Sequence, residues 1–297
     1  MADVFPATRV INGSASSRLI DLFKIVLTVG IVCRHAALVD VGDDYPLFYF
    51  FTKCLMGITE ICVPLFYVLS GYLFFLNCPE SPNVSYFVGK LRKRLFSLVI
   101  PYLIANVIAF GCYWFAEHYV PSLVSGFFGD KLHDPIFVFW SGPVNLSLWF
   151  VRELILCCLL SPLVWVLVRY TRIFGVLALG LLWAFHIGPL PIFLFSLGAW
   201  PVIRQLQSQR LSSWVERHPV NVAPSSRAWC FFVYLYHYLL IIGIKKALVL
   251  LCQPGSSLGY LACYGASVLL TLFLLTFGYQ LLRRYVPKVA SVLIGGK

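Results

Sequence analysis

The sequence predicts an all-α fold: a polytopic bundle of about eight transmembrane helices with both termini in the cytoplasm. Three observations predict it. Hydrophobic residues make up 60% of the 297-residue chain against 12% charged, and the mean hydropathy is +0.85. A soluble domain is about a quarter charged, because its surface needs polar cover. The apolar residues fall in long unbroken runs, and the Lys and Arg residues gather on one side of those runs. Together these exclude an ordinary soluble enzyme, a disordered chain and a coiled coil. Period-two alternation is missing, which excludes a membrane β-barrel. The net charge of +11 would also suit a nucleic-acid binder, but basic cytoplasmic loops account for it and no nucleic-acid partner is expected.

A helix needs about 20 mostly apolar residues to cross the hydrocarbon. The runs lie at roughly 19–39, 57–77, 95–116, 146–168, 173–188, 189–203, 229–250 and 258–282. The fifth and sixth are short and meet at Gly188-Pro189, so they also read as one broken element. The first run is long and no small-residue cleavage pattern follows it, which reads as a retained anchor. With the N-terminus inside, sixteen Lys and Arg fall in inner segments and four outside (Lys53, Lys131, Lys245, Lys246), while Lys24, Arg34 and Arg152 lie within spans. The Lys245-Lys246 pair runs against this bias. Residues 78–94 form a basic connector, read as a topology signal drawn to anionic lipid or as a landing surface for a polyanionic cytosolic substrate. Residues 204–228 are too polar to span and are expected along the inner membrane surface. Most of the ten cysteines sit inside apolar runs, where a thiol acts as a small hydrophobe. With no C-x-x-C pair, neither a disulfide framework nor a metal site is expected.

Charges within spans cost several kcal/mol and mark function. The first run holds Asp21, Lys24, Arg34 and His35. Lys24 and His35 are eleven positions apart, which on a helix leaves them only about 20° from eclipsed and about 16 Å apart along the axis. One stripe therefore carries a cation near the inner side and an imidazole toward the outer side. Asp21 lies one turn before Lys24 and can pair with it. Glu60 opens the second run, Arg152 and Glu153 lie near the outer end of the fourth, and His237 is embedded in the seventh. Ser70 and Tyr72 fall at roughly the depth of Lys24, and Gly71 between them permits close backbone approach.

Several segments carry a family resemblance. Ile20-Asp21-Leu22-Phe23-Lys24 followed, after ten residues, by His35 resembles a basic-residue-x10-His signature. Val63-Pro64-Leu65-Phe66-Tyr67-Val68-Leu69-Ser70-Gly71-Tyr72-Leu73 resembles an FFxxSGYL segment. Leu148-Trp149-Phe150-Val151-Arg152 is similar to an LWFxx stretch. The stretches from Lys90 to Pro101-Tyr102 and from Phe232 to His237 match more weakly. In this order they resemble the membrane-bound acyltransferase family 3, the O-acyltransferases of cell-surface glycans and lipids. Two departures stand out: the family usually has Arg where this chain has Lys24, and about ten spans rather than eight. The chain therefore reads as one integral-membrane acyltransferase domain over 1–297, lacking a helical hairpin around 204–228.

The resemblance implies transfer of an acyl group, most often acetyl, from cytosolic acyl-CoA to a hydroxyl of a surface or lipid-linked glycan, in a bacterial inner membrane. The expected partners are membrane lipid, acyl-CoA (acetyl-CoA) as donor and the glycan acceptor, with no metal. Lys24, with Asp21, Ser70 and Tyr72, would bind the donor. His35 would be general base or transient acyl carrier, Arg152 would steady oxyanion charge, and Glu60 would orient the imidazole. Arg34, Glu153 and His237 are further candidates. Embedded charges also suit a transporter or glycan-export component, and the missing hairpin also suits an inactive homologue. Against the transporter, the sequence has neither an inverted repeat nor paired broken helices.

Overall fold

The computed structural model describes residues 15–38, 44–119, 140, 142, 144–204, 222–223 and 225–296. The described residues are helical throughout, apart from turns and connections. The helices are α1 (Ala15–Ala36), α2 (Pro46–Glu60), α3 (Cys62–Phe75), α4 (Val84–Tyr119), α5 (Trp149–Leu159), α6 (Ser161–Thr171), α7 (Ile173–Ala184), α8 (Leu190–Ile203), α9 (Ser226–Cys252), α10 (Ser257–Tyr285) and α11 (Pro287–Leu293). This is the all-α membrane bundle the composition predicts.

By length and composition, Pro46–Phe75, Val84–Tyr119, Ser226–Cys252 and Ser257–Tyr285 can cross a membrane, and the broken pair α5/α6 makes a fifth. The expected count of eight is therefore not reached on those criteria. Helix α1 is long enough at 22 residues but carries four charges, Arg18, Asp21, Lys24 and Arg34. Helices α7 and α8 are short, at 12 and 14 residues, and stay separate around Gly188-Pro189. Three boundaries also differ. Helix α4 starts at Val84 rather than near residue 95, so most of the segment read as a basic connector is its first turns. The second span starts at Pro46 rather than near residue 57, because the segment read as lying outside is an amphipathic helix whose Phe48 is fully buried, its ring 5.4 Å from that of Tyr260 of α10. The fourth run is bent by 60° at Leu160. Pro162 has no N–H for the carbonyl of Cys158, so one straight helix cannot continue.

Helix α1 lies between two cores. Leu27 and Ile31, one turn apart, join a cluster with α3, α4, α5, α6 and α8. Val32 and Ala36, on another face, join a cluster with α9 and α10. Within the first cluster α3 and α8 run in backbone contact. A Cβ on Gly71 would lie 1.9 Å from the carbonyl oxygen of Phe195, and one on Gly198 would lie 1.8 Å from that of Val68. The glycine of the Ser70-Gly71-Tyr72 segment is thus required by packing. Small residues let helices meet this closely, and in lipid such packing replaces the hydrophobic drive.

Two lysines do not serve as surface charge. Lys90 donates to the carbonyls of Phe74 and Leu76 and lies over the rings of Phe74 and Tyr86. It thereby caps the last carbonyls of α3, which have no intrahelical donors. Lys245 does the same for α1, donating to the carbonyls of His35 at 3.2 Å and Ala37 at 3.1 Å. The lysine that runs against the positive-inside bias has this structural use. Arg210 and Arg217 of the basic linker lie outside the described residues, whereas Arg204 follows α8 and Arg227 sits in the first turn of α9.

The Lys and Arg bias predicts that Ser81, exposed between α3 and α4, faces the cytoplasm. Ser81→Cys, in a chain whose exposed Cys54, Cys112 and Cys252 are replaced by serine, should react with an impermeant thiol reagent only after the membrane is opened. Labelling with the membrane intact would contradict the orientation.

Candidate active site

The stripe expected on α1 has a partner helix. Lys24, Thr28, Ile31 and His35 follow one another at helical spacing, and α9 packs along α1 and engages it at both ends. Arg227 and Lys245 are eighteen positions apart, about five whole turns, so they share one face of α9 with Tyr234 and Tyr238 between them.

At the Lys24 end, Asp21 is the hub. Its carboxylate accepts from Arg227 Nε at 2.7 Å and from Lys24 Nζ at 3.4 Å. Asp21 is only 5% exposed, so an unpaired charge there would be costly. Two cations, Lys24 and Arg227, therefore converge on one carboxylate. Gly30 faces Cys62, and α3 runs from there toward the Lys24 end. Ser70 and Tyr72, half-buried on α3, therefore fall near the level of Asp21 and Lys24.

At the other end, the His35 ring lies 5.3 Å from the ring of His237 and 5.0 Å, edge-on, from that of Tyr238. His237 is completely buried, and its Nδ1 lies 2.8 Å from the carbonyl oxygen of Tyr234 and 3.1 Å from that of Val233. Arg34 does not face this pair's chemistry, because it donates to the carbonyl of Met56 at 2.8 Å and ties α1 to α2.

A third group pins residues 144–150 to α9. Asn145 donates to the carbonyl of Leu235 at 2.8 Å, Ser147 donates to Asn145 Oδ1 at 2.7 Å, and Tyr234 donates to the carbonyl of Ser147. Tyr67 of α3 reaches the carbonyl of Phe150 at 3.4 Å. Arg152, just beyond, binds Glu153 Oε1 through Nη2 at 2.7 Å and the carbonyl of Trp140 through Nη1 at 2.6 Å. Its donors are engaged in structure, so an oxyanion role would require it to exchange partners.

The structure thus brings His35 together with His237, and Asp21 with Lys24. Glu60 is exposed at the end of α2 and makes no ion pair among the described residues. Sequence reasoning missed Tyr238, Lys245 and Arg227 as neighbours of the α1 stripe. The signal that could have found them is the eighteen-residue repeat of polar groups on one face of α9.

A family model described as an acyltransferase domain matches residues 18–216. The chain belongs to the acyltransferase 3 family. Within that match lie the α1 stripe, the Ser70-Gly71-Tyr72 segment and Arg152, whereas α9 with His237 lies beyond it. This acyltransferase 3 chain is also 29% identical over 197 residues to the succinoglycan biosynthesis protein ExoH of Rhizobium meliloti (strain 1021). That alignment covers 62% of the chain and 50% of ExoH, so the chain spans about half the length of this curated relative. No solved structure matches the chain.

Proposed function

We propose that this acyltransferase 3 protein is an integral-membrane O-acyltransferase of the bacterial inner membrane. It moves an acyl group, acetyl in the first instance, from cytosolic acyl-CoA to a hydroxyl of a surface or exported glycan. The observation that carries the reading is the α1 stripe, with a cationic group at one end and, at the other, the half-buried His35 ring beside the buried His237 ring. The name of ExoH, a succinoglycan biosynthesis protein, favours a glycan acceptor.

In this reading the cations Lys24 and Arg227 attract the phosphates of CoA, with Ser70 and Tyr72 on the adjoining face of α3. The acyl arm lies along α1 toward His35. There the acceptor oxygen attacks the thioester carbonyl carbon while His35 takes the hydroxyl proton. The C–S bond breaks, and the CoA thiolate leaves with that proton. The same histidine also suits a transient acyl-imidazole, in which the acyl group rests on a ring nitrogen between two transfers. Glu60, exposed on α2, has no part in this reading.

Membranes carrying the full chain should move label from [14C]acetyl-CoA onto their own glycans, and membranes without it should not. Lys24→Ala should raise the apparent KM for acetyl-CoA about tenfold, the loss of one charge-assisted contact, with little change in kcat. Lys24→Arg should restore it, because the charge is kept. An unchanged donor KM in Lys24→Ala would remove the donor role from this residue.

A further inference from the structure

His237 carries an unexplained polar atom. Its ring is fully buried, and Nδ1 faces two backbone carbonyls of its own helix. Carbonyl oxygens only accept, so Nδ1 must carry the hydrogen. That fixes the tautomer and leaves Nε2 with a bare lone pair. Nε2 is buried and has no hydrogen-bond partner. Buried polar atoms are nearly always satisfied, and leaving one unmade costs about 1–3 kcal/mol. The His35 ring of α1 lies 5.3 Å from the His237 ring, centroid to centroid, at a tilt of 46°. An N–H···N bond of about 2.9 Å between two imidazoles requires a centroid separation of about 5.2 Å. The ring separation therefore admits such a bond, which the tilted rings reach by turning about their Cβ–Cγ bonds.

We propose that His237 is the positioning residue for His35: its Nε2 accepts a hydrogen bond from one ring nitrogen of His35 and leaves the other bare toward the acceptor hydroxyl. It fills the place that a carboxylate fills in a hydrolytic triad. The acidic candidates do not compete for it, since Glu60 is exposed and Glu153 is held by Arg152. The neighbouring cations do not compete either: Arg34 bonds the carbonyl of Met56, and Lys245 bonds those of His35 and Ala37. A neutral acceptor lets His35 take the hydroxyl proton and hand it to the departing CoA thiolate without becoming a fixed cation. The inference rests on His35 being the group that handles the acceptor.

Two amide variants separate positioning from helix structure. His237→Gln puts a carbonyl oxygen near the position of Nε2, so it keeps the acceptor for His35. His237→Asn puts an amide N–H near the position of Nδ1, so it keeps the bond to the backbone and loses the distal acceptor. Transfer from [14C]acetyl-CoA onto membrane glycans is measured for full-length chains at equal amounts of monodisperse protein. His237→Asn should lose kcat on the order of 100-fold, as misorienting a catalytic histidine does. His237→Gln should stay within about tenfold of wild type, and KM for acetyl-CoA should stay within about twofold in both. A purely structural role predicts the reverse, so His237→Asn matching or exceeding His237→Gln overturns the proposal. His35→Ala in the same assay tells the two readings apart. If it is active, the assignment of His35 itself falls. If it is inactive while the amide order is reversed, only the role of His237 falls.

Discussion

His35→Ala should lower acyl transfer by at least about two orders of magnitude, the least that loss of a positioned general base costs, and loss of an acyl carrier would abolish transfer. The protein should remain abundant and monodisperse, because the His35 side chain is only half-buried and the groups that fasten this end of α1 do not use it. Lys245 bonds main-chain carbonyls, and Arg34 bonds that of Met56. Donor binding should be nearly untouched, since the cationic group lies about 16 Å away along the helix. The measurement is label transfer from [14C]acetyl-CoA, alongside fluorescence-detected size exclusion for protein quality. Full transfer in this variant at normal abundance would falsify the assignment of His35.

Gly71→Ala and Gly198→Ala should each unsettle the whole bundle. The added carbon would meet a backbone carbonyl oxygen at 1.9 and 1.8 Å, where ordinary contact is nearer 3.4 Å. A flexible side chain could step aside, but a carbonyl inside a helix cannot, so α3 and α8 must separate by more than 1 Å along their closest stretch. Overpacking costs about 1–3 kcal/mol where side chains can adjust, and a backbone clash should reach or exceed the top of that range. The result is a much reduced yield of monodisperse protein and a lowered melting temperature. Gly265→Ala is the control, since a Cβ there meets nothing within 4 Å. Melting temperatures of both glycine variants equal to that of the control would mean the crossing is looser than these distances.

Much of this was legible before the structure, because hydropathy runs and helical spacing are local properties. The helices at 226–252 and 257–285, and the part of the 84–119 helix beyond its basic first turns, follow from long apolar runs, and the Lys24–His35 stripe follows from eleven residues at 100° each. The partner of the stripe was not legible. Asp21 and Arg227 are 206 positions apart, and nothing local says that two helices so distant in sequence lie side by side. Contacts aimed at carbonyls were also hidden, since any residue can offer one; Arg34 looked like a candidate for chemistry and Lys245 like a topological anomaly for that reason. The Pro46–Glu60 helix was missed because its apolar stretch is interrupted by Thr52 and Lys53, which weakens the hydropathy signal without preventing a helix. The bend at Leu160 had its proline in plain view, but the run continues apolar on both sides of it.

The cap that Lys245 places on α1 bears on how the protein is made. Synthesis proceeds from the N-terminus, so α1 enters the membrane long before α9 exists. Until then the carbonyls of His35 and Ala37 lack the ammonium that satisfies them, and His35 lacks both aromatic neighbours. Helix α9 for its part brings two adjacent lysines toward the membrane, each costing about 2.5–3.5 kcal/mol if left at the centre of a bare helix. Each helix thus carries an unmet polar need that the other supplies, and their meeting is favoured for reasons separate from catalysis. The imidazole pair comes together in that same late step. Biogenesis and competence are therefore linked: a nascent chain holds a complete cation cluster and a complete histidine pair only once α9 has been delivered to the bilayer.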